Sequence, residues 1–311
     1  MLKIFTTKGN NTLVEIDEFQ EKCWVHVVDP SVEDTKQLHN IGVPPDFITY
    51  SLDEDERPRM EKEDDGTILF LLRTPFFQGD EFDIPYITIV LGIIFKDNII
   101  ITISKRENEL LNPFLQSKVR GFSTNKKNRF VLFILLKTAK KYLELLNQID
   151  ARVELVEDRL QKSLNNKEVL ELLKFQKSLV YFETGLRTNE VMMEKLDRTR
   201  IFLEYEEDED LLDDVITENK QAREMVMISS TILSSMMDAF ASIISNNLND
   251  VMKILTSVTI VLSLPTLVTG FFGMNVMIPF AEGANSVWLI LMICAILIVA
   301  AFLVFLWRKW I

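Results

Sequence analysis

The chain has 311 residues, two cysteines, two histidines and a formal net charge of -12. So acidic a balance disfavours nucleic-acid binding, which depends on Lys and Arg neutralising phosphates. With no Cys/His cluster, a zinc site of the usual type is not expected, and Cys294 lies in an apolar run, so no disulfide to Cys23 is expected.

The N-terminal Met1-Leu2-Lys3-Ile4-Phe5-Thr6 turns polar at once. A secretory signal needs an apolar core of about 7 to 15 residues, so the first part of the chain is expected to stay cytosolic. Residues 23–28 read as a strand, followed by a turn at Asp29-Pro30 and a helix. Residues 53–65 are charged and non-periodic, with Pro58, and read as loop or sheet edge. Residues 67–73, 86–95 and 98–104 are rich in Ile, Leu and Val and read as strands, the last two joined at Asp97-Asn98.

From about Lys127 the pattern becomes helical, and no proline occurs between Pro113 and Pro265. Asn165-Asn166 separates one helix from the next. A third helix begins near the acids of residues 204–214, which suit a helix N-terminus, and meets no breaker before Leu264. An acidic run such as residues 206–210 is usually a solvated face.

Residues 254–272 and 287–307 carry no charged side chain. Each run has about the 20 residues that an α-helix needs to cross a bilayer core, and roughly 14 residues separate them. Residues 276–286 between them hold no Lys or Arg, whereas Lys253, Arg308 and Lys309 flank the outer ends. By the positive-inside rule this is a membrane hairpin with a short external loop and both chain ends cytoplasmic. Trp288, Trp307 and Trp310 suit the membrane interfaces.

One face of the first membrane helix is polar. Steps of four and three select Asp238, Ser242, Ser245, Asn249, Met252, Thr256, Thr259, Ser263, Thr266 and Gly270, of which nine are polar or glycine. That is the period of about 3.5 found in left-handed bundles. Ser and Thr often merely tie membrane helices together. Continuity of the stripe into the cytosolic segment favours a hydroxyl-lined aqueous path, which needs several copies about one axis. Near absence of fixed charge suits hydrated Mg2+, which sheds water reluctantly.

Gly273-Met274-Asn275, closing the first of two C-terminal membrane helices, resembles the CorA family of magnesium and cobalt channels. So do Val251-Met252-Lys253-Ile254-Leu255-Thr256 at the cytosolic end of that helix and Trp307-Arg308-Lys309-Trp310 at the C-terminus. Near the front, Trp24-Val25-His26-Val27-Val28-Asp29-Pro30 and Asp55-Glu56-Arg57-Pro58-Arg59 resemble its N-terminal domain. The resemblance implies an α+β cytosolic domain, long helices and a C-terminal two-helix transmembrane hairpin, assembled as a homopentameric funnel in the cytoplasmic membrane. Its expected parts are an N-terminal domain (residues 1–125), a helical hairpin (126–210) and a stalk continuing into the first membrane helix (211–275). An external loop (276–286), a second membrane helix (287–307) and a basic tail (308–311) complete the chain.

The same resemblance implies the site residues. Gly273, Met274 and Asn275 form the outer mouth, Asn249 a polar ring, Met252 and Leu255 an apolar constriction, and Asp238 a cation-attracting position in the funnel. Ser263 stands where many members carry a pore-facing methionine, which argues against an apolar gate at that level. Asp65, with Asp64 beside it, and Asp214 match acids that hold regulatory Mg2+ between subunits. The transported ion is expected to be Mg2+, with Co2+ and Ni2+ as further cargoes. A transporter of zinc or another transition metal on the same fold, and a membrane-anchored scaffold or signalling protein, are the alternatives. No phosphate loop, nucleophile elbow or His-centred triad points to an enzyme.

Overall fold

The structure is a computed structural model that describes residues 1–8, 12–162, 166–199, 206–274, 286–308 and 310. It divides into two compact units, Met1–Ser235 and Met236–Ile311.

The first unit is built on one seven-stranded sheet. Its strands are β1 (Leu2–Lys8), β2 (Thr12–Ile16), β3 (Trp24–Val28), β4 (Arg59–Lys62), β5 (Ile68–Phe77), β6 (Tyr86–Lys96) and β7 (Ile99–Ser104). They lie in the order β2-β1-β3-β7-β6-β5-β4, with β3 and β7 parallel and every other pair antiparallel. The turn between β6 and β7 is Asp97-Asn98, with Asp97 at φ 50. The charged stretch with Pro58 ends in β4, a four-residue edge strand. Strands β1 and β2 have no counterpart in the sequence reading. Thr6, Thr7 and Lys8 dilute the apolar signal, although Ile4 and Phe5 are buried.

Helices cover both faces, which is why β5, β6 and β7 read as unbroken apolar runs. On one face α1 (Val32–Asn40) and α2 (Pro45–Leu52) pack Leu38, Phe47 and Ile48 against Val25, Val27, Leu69, Leu71, Ile94 and Ile101. Ser31 starts α1 with a capping box to Asp34. Helix α2, which the sequence reading did not anticipate, rests on Gly92. A Cβ there would meet the Ser51 Oγ at 1.9 Å, so only glycine admits the helix.

The other face carries Phe5, Trp24, Phe70, Leu72, Leu91, Ile93 and Phe95. A 3-10 turn (Glu109–Leu111) and α3 (Asn112–Leu115) lead to the long helices α4 (Lys127–Lys162), α5 (Asn166–Thr199) and α6 (Glu206–Phe272). Phe114, Phe130, Leu132, Met192, Leu196 and Leu212 close this core. Past the end of β4, the outer edge of β5 has no strand partner. There the Asn189 side chain accepts from the Arg73 N–H at 2.9 Å and donates to its carbonyl at 2.7 Å, and the Tyr142 hydroxyl donates to the same carbonyl at 3.1 Å. Two helices thus complete the hydrogen bonding of an edge strand.

The start of α6 corrects one expectation. Asp208, within the run expected to be a solvated face, is buried and meets the Arg129 Nε of α4 at 2.6 Å; Glu207 meets the same guanidinium at 2.7 Å.

Candidate functional site

The second unit contains the end of α6 and all of α7 (Ser286–Trp307). Both helices are long and apolar enough to cross a membrane. On the membrane-crossing part of α6, besides the partly shielded Pro265 and Phe272, the shielded positions are Ser257 and Val268, with Val261 and Leu264 partly shielded. At about 3.6 residues per turn these four share one side of the helix. On α7 Cys294 and Phe305 are buried, and Trp310 stacks on Phe305 at 5.8 Å.

The polar stripe occupies the other side of α6. Asp238, Ser242, Ser245, Asn249, Met252, Leu255, Thr256, Thr259, Ser263, Thr266 and Gly270 are all exposed in the single chain. Thr259, Ser263 and Thr266 fall roughly opposite the Ser257–Val268 side and line a shallow groove with Leu262 and Leu267. Exposed apolar side chains such as Val258, Leu262 and Leu267 flank the stripe.

Four of the stripe's hydroxyls are already engaged. Thr259 donates to the Leu255 carbonyl at 2.8 Å, Ser263 to that of Thr259 at 2.7 Å, and Thr266 to that of Leu262 at 3.1 Å. Ser242 does the same to Asp238 at 3.0 Å. Each oxygen keeps lone pairs and no free proton, so the stripe offers acceptors. Pro265 sits inside the helix without breaking it.

Gly273 and Met274 close the helix: the Gly273 N–H donates to Thr269 at 2.9 Å and the Met274 N–H to Phe271 at 3.4 Å. Asn275 and residues 276–285 lie outside the described residues.

The three candidate regulatory acids belong to the first unit. Asp65 lies in the β4–β5 turn, which Gly66 makes possible at φ 86. Its Oδ2 meets the Lys96 Nζ at 2.8 Å and its Oδ1 accepts from the Thr67 N–H at 2.8 Å. Lys96, then Thr67, hold its carboxyl well below the usual carboxylate range. Asp64 and Asp214 are exposed. Among the described residues no three His, Cys, Asp or Glu side chains of one chain converge to hold a metal. Lys96 was missed as Asp65's partner, because only the β5–β6 register brings the end of β6 beside the start of β5.

Known proteins fit this arrangement over its whole length. The family described as CorA-like Mg2+ transporter protein matches residues 19–309. The cobalt/magnesium transport protein CorA of Methanocaldococcus jannaschii is 28% identical, with 100% of each chain covered. The complete structure of the CorA magnesium transporter from that organism superposes with a TM-score of 0.85 at 26% identity, covering 100% of this chain and 99% of the other. The ZntB cytoplasmic domain from Vibrio parahaemolyticus shares the fold alone, at TM-score 0.63 and 12% identity over 78% of this chain and 98% of that one. With the sheet, the long helices and the apolar C-terminal pair all matched, the chain belongs to the CorA-like Mg2+ transporter family.

Proposed function

We propose that the chain assembles as a homopentamer in the cytoplasmic membrane and conducts Mg2+ into the cytosol, with Co2+ and Ni2+ as further cargoes. The observation that carries this reading is the acceptor stripe on the side of α6 away from its Ser257–Val268 face. Mg2+ keeps its water shell, and bound waters present protons outward. Within the membrane part, from Thr256 to Gly270, the stripe has oxygens and no fixed charge, so it accepts from that shell without stripping or trapping the ion.

One pair of helices cannot enclose a path, whereas copies about an axis can. Gly270 supports close approach of a neighbour. A Cβ there would meet nothing within 4 Å in the single chain. Glycine nevertheless costs a helix about 1 kcal/mol relative to alanine. The flanking apolar positions would face neighbouring subunits or lipid, and the ends of the chain would lie in the cytosol.

In this assembly Gly273, Met274 and Asn275 form the outer mouth, with the Asn275 amide oxygen accepting from the ion's water. Asn249 makes a polar ring, and Met252 and Leu255 a constriction that closes by dewetting. Asp238 draws cations toward the path. Asp65, Asp64 and Asp214 meet across subunit contacts and bind Mg2+ when it is plentiful, favouring the closed ring. Because Lys96 already occupies Asp65, Mg2+ must displace it, which keeps the sensor weak.

The test is uptake of Mg2+, Co2+, Ni2+ and Zn2+ into proteoliposomes, with and without an imposed potential. Mg2+ uptake well above that of Zn2+ is expected. Uptake of Zn2+ alone would indicate a zinc transporter of the same fold. No uptake by correctly inserted protein would indicate a membrane-anchored scaffold.

A further inference from the structure

A cavity of about 700 Å3 opens in the first unit between the loop that leads into β4, the middle of β5, the start of β6 and α5. That volume lies within the range of small-molecule sites, roughly 300 to 1,000 Å3. Three guanidinium groups line it, from Arg57, Arg73 and Arg187. Three acids also line it, but two already have ion-pair partners. Glu54 pairs with the Arg106 Nε at 2.9 Å, and Glu56 pairs with the Arg59 Nη1 at 2.5 Å, a guanidinium it shares with Glu61. Among the described residues Asp55 is the one lining acid without an ion pair, facing three arginines that have none either, on a chain whose net charge is -12.

Arg73 is the most telling of the three. It is half-buried, and its guanidinium is held by backbone carbonyls, with Nε donating to Glu56 at 3.2 Å and Nη1 to Thr88 at 3.4 Å. Among the described residues it has no carboxylate partner, and its Nη2 makes no hydrogen bond. Carbonyls fix the plane of the fork without neutralising its charge, so the positioned cation can still take a counter-ion. Arg57 and Arg187 are exposed at the rim, and neither has an ion pair within the described chain. Tyr181, 43% exposed, adds an aromatic face to the same rim.

We propose that this cavity binds a polyphosphate anion, free or carried by a nucleotide. Planar forks supplied by three separate segments match the several oxygens of a polyphosphate better than a single carboxylate, and the volume exceeds what one inorganic phosphate needs. The site is separate from the membrane path and from the carboxylates of the proposed Mg2+ sensor, and does not depend on either.

The test is isothermal titration calorimetry of pyrophosphate and of ATP into the full-length protein in detergent, with EDTA present to remove divalent cations. Saturable binding of at least one of the two is expected. Arg57→Gln and Arg187→Gln should each weaken it about tenfold, as loss of one charge-assisted hydrogen bond does. Both residues are exposed, so an unchanged urea midpoint will confirm an intact fold. If Tyr181→Ala weakens ATP and spares pyrophosphate, the ligand is a nucleotide; equal effects on both identify a free polyphosphate. No saturable binding of either anion, or an unchanged Kd in the Arg57→Gln/Arg187→Gln double variant, overturns the proposal.

Discussion

Acidification should destabilise the sheet unit through His26, by an amount the structure sets. His26 lies on β3 with 6% of its surface exposed. Thr102 is its partner. The Trp24 indole, which can only donate, gives its proton to the Thr102 Oγ1 at 2.9 Å, and the Thr102 hydroxyl proton is then available to the His26 Nδ1 at 3.1 Å. Burial, followed by repulsion from Lys3 and the N-terminus, lowers the imidazole from 6.5 to about 4. Between those values the unfolded chain binds a proton that the folded chain refuses. Stability from this group is therefore complete above pH 6.5 and declines as pH falls toward about 4. The gap corresponds to about 3 kcal/mol. Many carboxylates titrate nearby, so the measurement is a difference: urea unfolding of wild type and His26→Gln, at pH 7.5 and pH 4. Fluorescence reports the right unit, because Trp24 is fully buried while Trp288 and Trp307 are 73% and 80% exposed. The stability difference between the two proteins should shift by about 3 kcal/mol in favour of the variant as pH falls. A difference that does not change with pH would refute the reasoning.

Four other outcomes are expected. Asn189→Ala should lower unfolding free energy by about 1 to 3 kcal/mol in urea titrations, since it strips a buried backbone N–H of its acceptor. Arg129→Ala should cost about 3 kcal/mol or more by the same assay, because it leaves Asp208 buried and unpaired; Asp208→Asn in that background should recover part of the loss. Asn275→Ala should abolish Mg2+ uptake by proteoliposomes while the wild-type elution volume on a sizing column, expected of the proposed pentamer, is retained. Asp65→Ala with Asp214→Ala should weaken Mg2+ protection of the long helices against protease, and Lys96→Met alone should shift that protection to lower Mg2+; unchanged protection in both would remove Asp65 from the sensor.

How much could be read in advance depended on whether a signal was local. Strands β5, β6 and β7 were legible because both faces are buried, which makes their runs almost wholly apolar. Strands β1 and β2 were not, since β1 ends in Thr6, Thr7 and Lys8, and β2 has no fully buried residue. The stripe on α6 was legible from spacing alone. Its orientation away from the Ser257–Val268 side, and the back-bonds of Thr259, Ser263 and Thr266, required coordinates. The Arg129–Asp208 pair joins residues 79 apart, and the Asp65–Lys96 pair depends on strand register. Neither pairing leaves a trace in composition or periodicity.

The central claim is that the hydroxyl stripe of α6 lines the ion path. Mg2+ uptake should be measured for single cysteines at Ser263 and at Leu264, in a background lacking Cys23 and Cys294, before and after a charged water-soluble thiol reagent. Ser263→Cys should label and lose Mg2+ uptake, whereas Leu264→Cys, one residue on and toward the shielded side, should label poorly and keep it. Equal labelling with equal residual uptake at the two positions would mean that the stripe is helix packing and that Mg2+ takes another route.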